Sequence, residues 1–282
     1  MKLPRRKFLH LAAGAAALTA VSRFAWAQTY PSRPVRLVVG APAGGGFDIV
    51  ARLMGQWLSE RLGQSFVIEN RPGASSNIAT EAVVRALPDG YTLLLVTAAN
   101  AINTSLYEKL SFNLSRDIAP VASITRVPDP MVANLSVPSR TVPEFIAYAK
   151  ANPGKLTMAS GGVGTPSHLE GELFKTMTGV DMLLVPYRGV APALTDLLGG
   201  QVQVMVTSMP SAIEYIRAGK LRALAVTTAS RSDALLDIPT VGEFLPGYEA
   251  SQWYASAFPR THPSRSLTSS TKRSMRASSI PG

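Results

Sequence analysis

From residue 35 onward, apolar positions fall into two alternating rhythms. Short Val-, Leu- and Ile-rich runs such as Val35-Arg36-Leu37-Val38-Val39 read as strands, and segments with apolar residues three and four apart read as helices. The pattern predicts strands at 35–39, 65–69, 92–97, 131–135, 156–159, 183–186, 202–207 and 221–227. It predicts helices at 49–62, 78–86, 142–151, 167–178, 192–198 and 210–218, the last stopped by Gly219. This alternation argues an α/β fold with largely parallel sheets. Val127-Pro128-Asp129-Pro130 breaks it about midway, a point where the chain can pass between two lobes. No internal repeat is evident in the residues.

The joints between strands and helices carry the candidate chemistry. Pro42-Ala43-Gly44-Gly45-Gly46-Phe47-Asp48 links the first strand to the first helix. Its glycines leave backbone N–H groups open to a ligand, and the following helix aims its positive end at the same place. It is either an anion site or a plain strand-to-helix turn. Ser160-Gly161-Gly162-Val163-Gly164-Thr165-Pro166 repeats the arrangement in the second half, joined by Tyr187-Arg188-Gly189 and Thr207-Ser208 after later strands. Ligands of open α/β sheets sit beyond the carboxyl ends of the strands. Two lobes facing each other across a cleft are therefore expected.

Charge and composition narrow the partners. The formal net charge is +10, yet residues 1–27 and 255–282 each hold five basic residues and no acid. Residues 28–254 hold 18 of each sign and are neutral, so nucleic acid is not an expected partner. Cysteine is absent, only three histidines are present, and no H-E-x-x-H or Asp-rich loop occurs, so no metal site and no cofactor are expected. Residues 1–27 read as an export signal: a basic start (Lys2, Arg5, Arg6, Lys7), an apolar stretch, and Ala25-Trp26-Ala27 as a cleavage pattern. Arg5-Arg6-Lys7-Phe8-Leu9 resembles a twin-arginine signal, with Pro4 where Ser or Thr is more usual.

No residue set reads as a catalytic machine. The G-x-S-x-G elbow is missing around Ser160, and His168 reads as a polar residue at a helix start. Neither glycine loop fits G-x-G-x-x-G or a P-loop. Asp48 is an acid/base candidate or an N-cap, and Arg188 a carboxylate clamp or a solvated cation. Trp57 and Tyr91 read as packing residues.

Pro42-Ala43-Gly44-Gly45-Gly46-Phe47-Asp48 with Ala51-Arg52 resembles the signature of the tripartite tricarboxylate transporter solute receptors, the Bug receptors. So do Glu69-Asn70-Arg71-Pro72-Gly73-Ala74 with Asn77-Ile78, Pro88-Asp89-Gly90-Tyr91-Thr92-Leu93, Ser160 to Thr165 with His168-Leu169, Val185 to Gly189, Asp196 to Gly200, Pro239-Thr240-Val241 and Pro246-Gly247-Tyr248-Glu249. The resemblance implies a type II periplasmic-binding-protein (Venus flytrap) fold, with lobe 1 at 28–128 completed by part of 248–254, and lobe 2 at 129–247. It implies a monomeric periplasmic receptor, not an enzyme, that passes a small carboxylate to membrane transporter subunits. A ligand sensor for a signalling partner and a small-acid enzyme are the alternatives. Carried over, the ligand residues are Gly44, Gly45, Gly46, Phe47, Asp48, Ser76, Asn77, Ala99 and Asn100 in lobe 1. In lobe 2 they are Ser160, Gly162, Gly164, Thr165, His168, Tyr187, Arg188, Gly189, Thr207 and Ser208. Ser75 and Ser76 stand where the family commonly has glycines.

The resemblance is read as ending at Tyr254, and residues 255–282 as an aberrant, unfolded, Ser/Arg/Thr-rich tail. Codons can be chosen for Ala255 to Pro281 so that another frame reads a family-like ending. The expectation is a shifted reading frame, and so a truncated lobe 1 and reduced stability. Sequencing the gene across the Tyr254 codon tests it.

Overall fold

The computed structural model describes residues 30–260; residues 1–29, which include the expected export signal, and residues 261–282 lie outside the described residues. Two five-stranded sheets form the cores of two lobes. In lobe 1, β1 (Val35–Val39) leads into α1 (Gly46–Leu62), β2 (Phe66–Asn70), α2 (Asn77–Val84), β3 (Thr92–Thr97), α3 (Ala98–Leu106), the short α4 (Leu114–Asp117) and β4 (Ile118–Val127). Lobe 2 follows with β5 (Pro130–Ala133), α5 (Val142–Ala151), β6 (Leu156–Ser160), α6 (Pro166–Thr178), β7 (Met182–Pro186), α7 (Val190–Leu198), β8 (Val204–Val206), α8 (Met209–Arg217) and β9 (Arg222–Val226). The chain then returns to lobe 1 as β10 (Gln252–Pro259).

The strand orders are β2-β1-β3-β10-β4 and β7-β6-β8-β5-β9. The two orders correspond position by position, an internal repeat of topology that the residues themselves do not display. In each sheet the parallel strands are interrupted by one antiparallel strand that has just crossed from the other lobe: β10 between β3 and β4, and β5 between β8 and β9. Each lobe is thereby sewn to the other twice. Helices on both faces of each sheet explain the continuous apolar runs, since strands covered on both sides have no polar face. All six residues of β3 are buried.

Several elements depart from the expectation, and α3 and α4 have no counterpart in it. β4 is a ten-residue strand despite Pro120, which it tolerates because it lies at the sheet edge. Residues 255–259, assigned from sequence to the unfolded tail, continue β10 and pair with both β3 and β4. The apolar alternation simply runs on past Tyr254: Tyr254, Ala257 and Phe258 are all core residues. Lobe 1 thus receives a crossing strand of eight residues.

Candidate functional site

Because the parallel strands of each sheet run the same way, the helices that follow them begin at the same sheet edge. Here the two edges face each other. Between them lies a cleft of about 520 Å³, within the range of small-molecule pockets. It is lined by residues at the N-terminal ends of five helices: Gly45 and Gly46 at α1, Ser76 at α2, Thr165 and Pro166 at α6, Gly189 and Val190 at α7, and Ser208 at α8.

These five helices share one property. None has a side chain capping its first N–H groups. The three helices that do not open on the cleft are capped: α3 by a Thr97–Asn100 box, α4 by Asn113 and α5 by Thr141. Uncapped first-turn amides are orphan donors carrying the positive end of the helix dipole. The ends are not equal. Pro166 of α6 and Pro210 of α8 have no N–H, and the His168, Ser211 and Asn77 amides bond to the Thr165, Ser208 and Ala74 carbonyls. The freest amides are those of α1 and α7. Five positive helix ends around one space are an arrangement suited to an anion. Thr165 shows how a cap is withheld, since its hydroxyl donates to the Gly162 carbonyl at 2.6 Å.

Gly44 (φ 81°), Gly162 (φ 130°) and Gly164 (φ 79°) adopt left-handed backbone that needs glycine. Asp48 is neither a cleft residue nor the N-cap, which is Gly45. Buried in the first turn, it accepts from the Gly44 amide (2.9 Å), Arg52 Nε (2.8 Å) and Asn70 Nδ2 (3.0 Å). Burial pulls its pKa up, but these hydrogen bonds prevail and hold the carboxyl below its ordinary range. Asn70 also donates to the Ala41 carbonyl, so Asp48, Asn70 and Arg52 form the scaffold behind the glycine loop.

Opposite, Ala74, Ser75 and Ser76 are three consecutive non-glycine residues with positive φ (44°, 51° and 76°). Left-handed backbone explains why glycine suits these positions, and serine here stores strain. The turn is pinned by Ser76 Oγ donating to the Gly40 carbonyl and by Asn103 Nδ2 donating to the Ser75 carbonyl and to Asn77 Oδ1. Asn77 is therefore a bracing residue beneath the turn.

Among the remaining expected residues, Gly45, Gly46, Phe47, Ser76, Gly162, Thr165, Tyr187, Arg188, Gly189 and Ser208 line the cleft. Gly44, Asp48, Asn77, Ala99, Asn100, Ser160, Gly164, His168 and Thr207 are not among its lining residues. Asn100 is consumed by the α3 cap and by Thr80. His168 Nδ1 accepts from the Gly164 amide at 3.2 Å, the satisfied polar histidine of the sequence reading. Arg188 has no ion-pair partner among the described residues and is exposed on the cleft wall. The Tyr187 hydroxyl donates to Asp196 at 2.6 Å; burial and then that carboxylate push the phenol up to about 12, so it stays protonated.

The lobes are in contact, and glycine makes the contact possible. A Cβ on Gly46 would lie 2.0 Å from Ser208 Oγ, one on Gly164 2.5 Å from Leu106 Cδ2, and one on Gly189 2.8 Å from Pro42 Cγ. All three pairs span the two lobes.

Sequence reasoning missed the foot of the cleft. Asp129 and Gln252, one in each crossing segment, line it and are almost fully buried. Behind Asp129 lies Glu170 of α6, within hydrogen-bonding reach. Two carboxyls can bond only through a proton held between them. Burial, with no cation nearby, pushes Asp129 up to about 7, and burial plus the Asp129 charge push Glu170 well above its ordinary range. Tyr248 and Tyr254 close the other sides, their phenols also raised by burial and then by these carboxyls.

Raised folded pKa values mean that the pair's contribution to stability is full below about pH 4, the unfolded carboxyl range, and is lost as pH rises through about 7. Glu170→Gln keeps the shape and gives Asp129 a permanent donor. At pH 8 it is expected to stabilise by about 1–3 kcal/mol, the cost of an unsatisfied buried acceptor, or roughly 3–10 °C in melting temperature. The gain disappears at pH 5. Thermal melts at both pH values check this, and equal shifts at pH 5 and 8 count against the shared proton.

Among the described residues no group of three or more His, Asp or Glu side chains could hold a metal ion, and no helix is long and apolar enough to cross a membrane.

Comparison with known proteins gives a consistent answer. The family model described as the tripartite tricarboxylate transporter family receptor matches residues 50–281, a span that continues past Tyr254. Protein BugT of Bordetella pertussis is 38% identical over 237 residues, covering 83% of this chain and 73% of the relative. Among solved structures, R. palustris Rpa4515 with adipate superposes with a TM-score of 0.83 at 40% identity, covering 88% of this chain and 82% of that one. MatC (Rpa3494) from Rhodopseudomonas palustris, with bound malate, gives 0.80 at 32% identity, covering 88% and 83%. Two lobes joined by two crossing strands, a cleft of open helix ends and these matches together show that the chain belongs to the tripartite tricarboxylate transporter receptor family.

Proposed function

We propose that this chain is an exported, monomeric periplasmic receptor that closes on a small organic acid and passes it to the subunits of a tripartite tricarboxylate-type membrane transporter. The observation that carries the reading is the set of five uncapped helix ends around one cleft, while helices elsewhere in the fold are capped. A carboxylate satisfies those amides. Arg188 adds a full positive charge on the same wall. The adipate and malate held by the two similar structures are ligands of this chemistry. The reading involves no catalysis: His168 Nδ1 is spent on a backbone amide, and Ser160 Oγ has no partner that could activate it.

A thermal-shift screen of mono-, di- and tricarboxylates tests the reading. A ligand at about 100 times its Kd adds about 2.7 kcal/mol, or roughly 5–11 °C for a body of this size. The bound acid should be recovered unchanged. Arg188→Ala is expected to weaken the best ligand about tenfold, as removing one charge-assisted contact does, without moving the ligand-free melt. A flat response to every acid overturns the assignment.

A further inference from the structure

The cleft makes opposite demands at its two ends. Its rim is rich in donors, with open helix amides and Arg188. Its foot presents acceptors. Asp129 and Gln252 are each only 2% exposed, with Glu170 within hydrogen-bonding reach of Asp129 and Tyr254 within reach of Gln252. Neither Asp129 nor Glu170 takes part in any of the described ion pairs.

Their placement is not loose. The Asp129 amide donates to Thr227 Oγ1 at 3.1 Å, and the Asp129 carbonyl accepts from the Thr227 amide at 3.0 Å. Pro128 and Pro130 fix the chain on both sides. Gln252 begins β10, paired with Val127 at the end of β4, so the two acceptors come from the two adjacent crossing segments. Glu170 supplies a proton from behind, and one shared proton can serve only one of the two Asp129 oxygens. A buried acceptor held this firmly and left without a donor is costly, more so when charged. A ligand that brings a donor removes that cost in the closed state.

We propose that Asp129 and Gln252 form a subsite that reads a hydrogen-bond donor on the bound acid, so that the ligand class is a small amino acid or hydroxy acid rather than a plain dicarboxylate. This rests on the carboxylate-receptor reading above. The carboxylate of such a ligand meets the helix ends and Arg188, while its ammonium or hydroxyl meets the Asp129 carboxyl and the Gln252 side chain beside it. An ammonium also neutralises the charge of the Asp129–Glu170 pair. Plain dicarboxylates satisfy the rim and leave the foot unmet, and their second carboxylate meets a like charge if it reaches that far.

Titration calorimetry at pH 8 with two matched series tests the subsite: succinate, malate and aspartate, and glutarate, 2-hydroxyglutarate and glutamate. In the preferred series the wild-type protein should bind a donor-bearing acid at least tenfold more tightly than the plain one. Asp129→Ala should erase that preference. The isosteric Asp129→Asn separates the two sources of donor: glutamate or aspartate loses its advantage, whereas the hydroxy acid keeps most of its own. Plain and donor-bearing acids bound equally by the wild type, or a preference that survives Asp129→Ala, overturn the subsite and leave the receptor reading standing. Failure of all six acids, together with a flat carboxylate screen, overturns both.

Discussion

Gly46→Ala should leave a stable, open receptor whose affinity for its acid falls roughly 10- to 100-fold, the equivalent of the 1–3 kcal/mol that overpacking costs. The added methyl fits lobe 1, where alanine is the better helix former by about 1 kcal/mol. It clashes only across the cleft, 2.0 Å from Ser208 Oγ, 2.9 Å from Ser208 Cβ and 3.1 Å from Ser211 Oγ. Rotating the Ser208 hydroxyl relieves the first contact and not the second. The two lobes must therefore stand apart, and the helix ends lose their common focus. Ligand-free melting should be unchanged or higher, and X-ray scattering at saturating acid should report a larger radius than for the wild type. Gly46→Ala combined with Ser208→Gly should regain most of the affinity. A single variant that binds and compacts like the wild type would show that this contact does not gate closure.

Asp48→Ala should destabilise the first lobe by about 2–4 kcal/mol, the range for losing charged hydrogen bonds from a buried acceptor. It strands the Gly44 amide and Asn70 Nδ2 and frees Arg52. A fall of roughly 5–15 °C in melting temperature is expected, read by circular dichroism. Ligand response should be lost with it, because the Gly44 turn no longer has an anchor. Since the folded pKa of Asp48 lies below its ordinary value, its contribution is full above about pH 4 and disappears as pH falls through the folded value. The gap between wild type and Asp48→Asn should therefore narrow in acid. A pH-independent gap would mean that the charge of Asp48 does not matter.

The jaw of the cleft was legible in the sequence because its chemistry is local. A glycine triplet between a strand and a helix has few physical uses, and Gly44, Gly45 and Gly46 serve the two expected ones, a left-handed turn and an open helix end. Central strands and amphipathic helices announced themselves by period, with ends displaced by a few residues. What escaped depends on distant partners. β4 hid behind Pro120, which only its edge position excuses. α3 hid because Ala98–Leu106 is small and polar, its place set by packing under the Ala74–Ser76 turn. Asn100 looked like a cleft residue and is spent as a cap. Asp129 read as part of the break between lobes, and nothing in the sequence marked Gln252. They are buried only because segments more than 120 residues apart cross side by side, and nothing local records that.

The crossing strands also dictate an order of assembly. Every strand of lobe 2 lies within residues 130–226, so its sheet can form from one contiguous stretch of chain. Lobe 1 cannot finish that way. β3 and β4, at residues 92–127, have no direct pairing with each other and wait for residues 252–259 to arrive between them. That wedge closes a loop longer than the whole of lobe 2 before any of its ladder bonds form, an entropic cost that delays the step. Until then two unpaired strand edges face each other across a gap one strand wide, open to any other extended segment. The last strand to arrive is thus the one that turns a three-stranded sheet, a lone β4 and a finished lobe into a hinged pair.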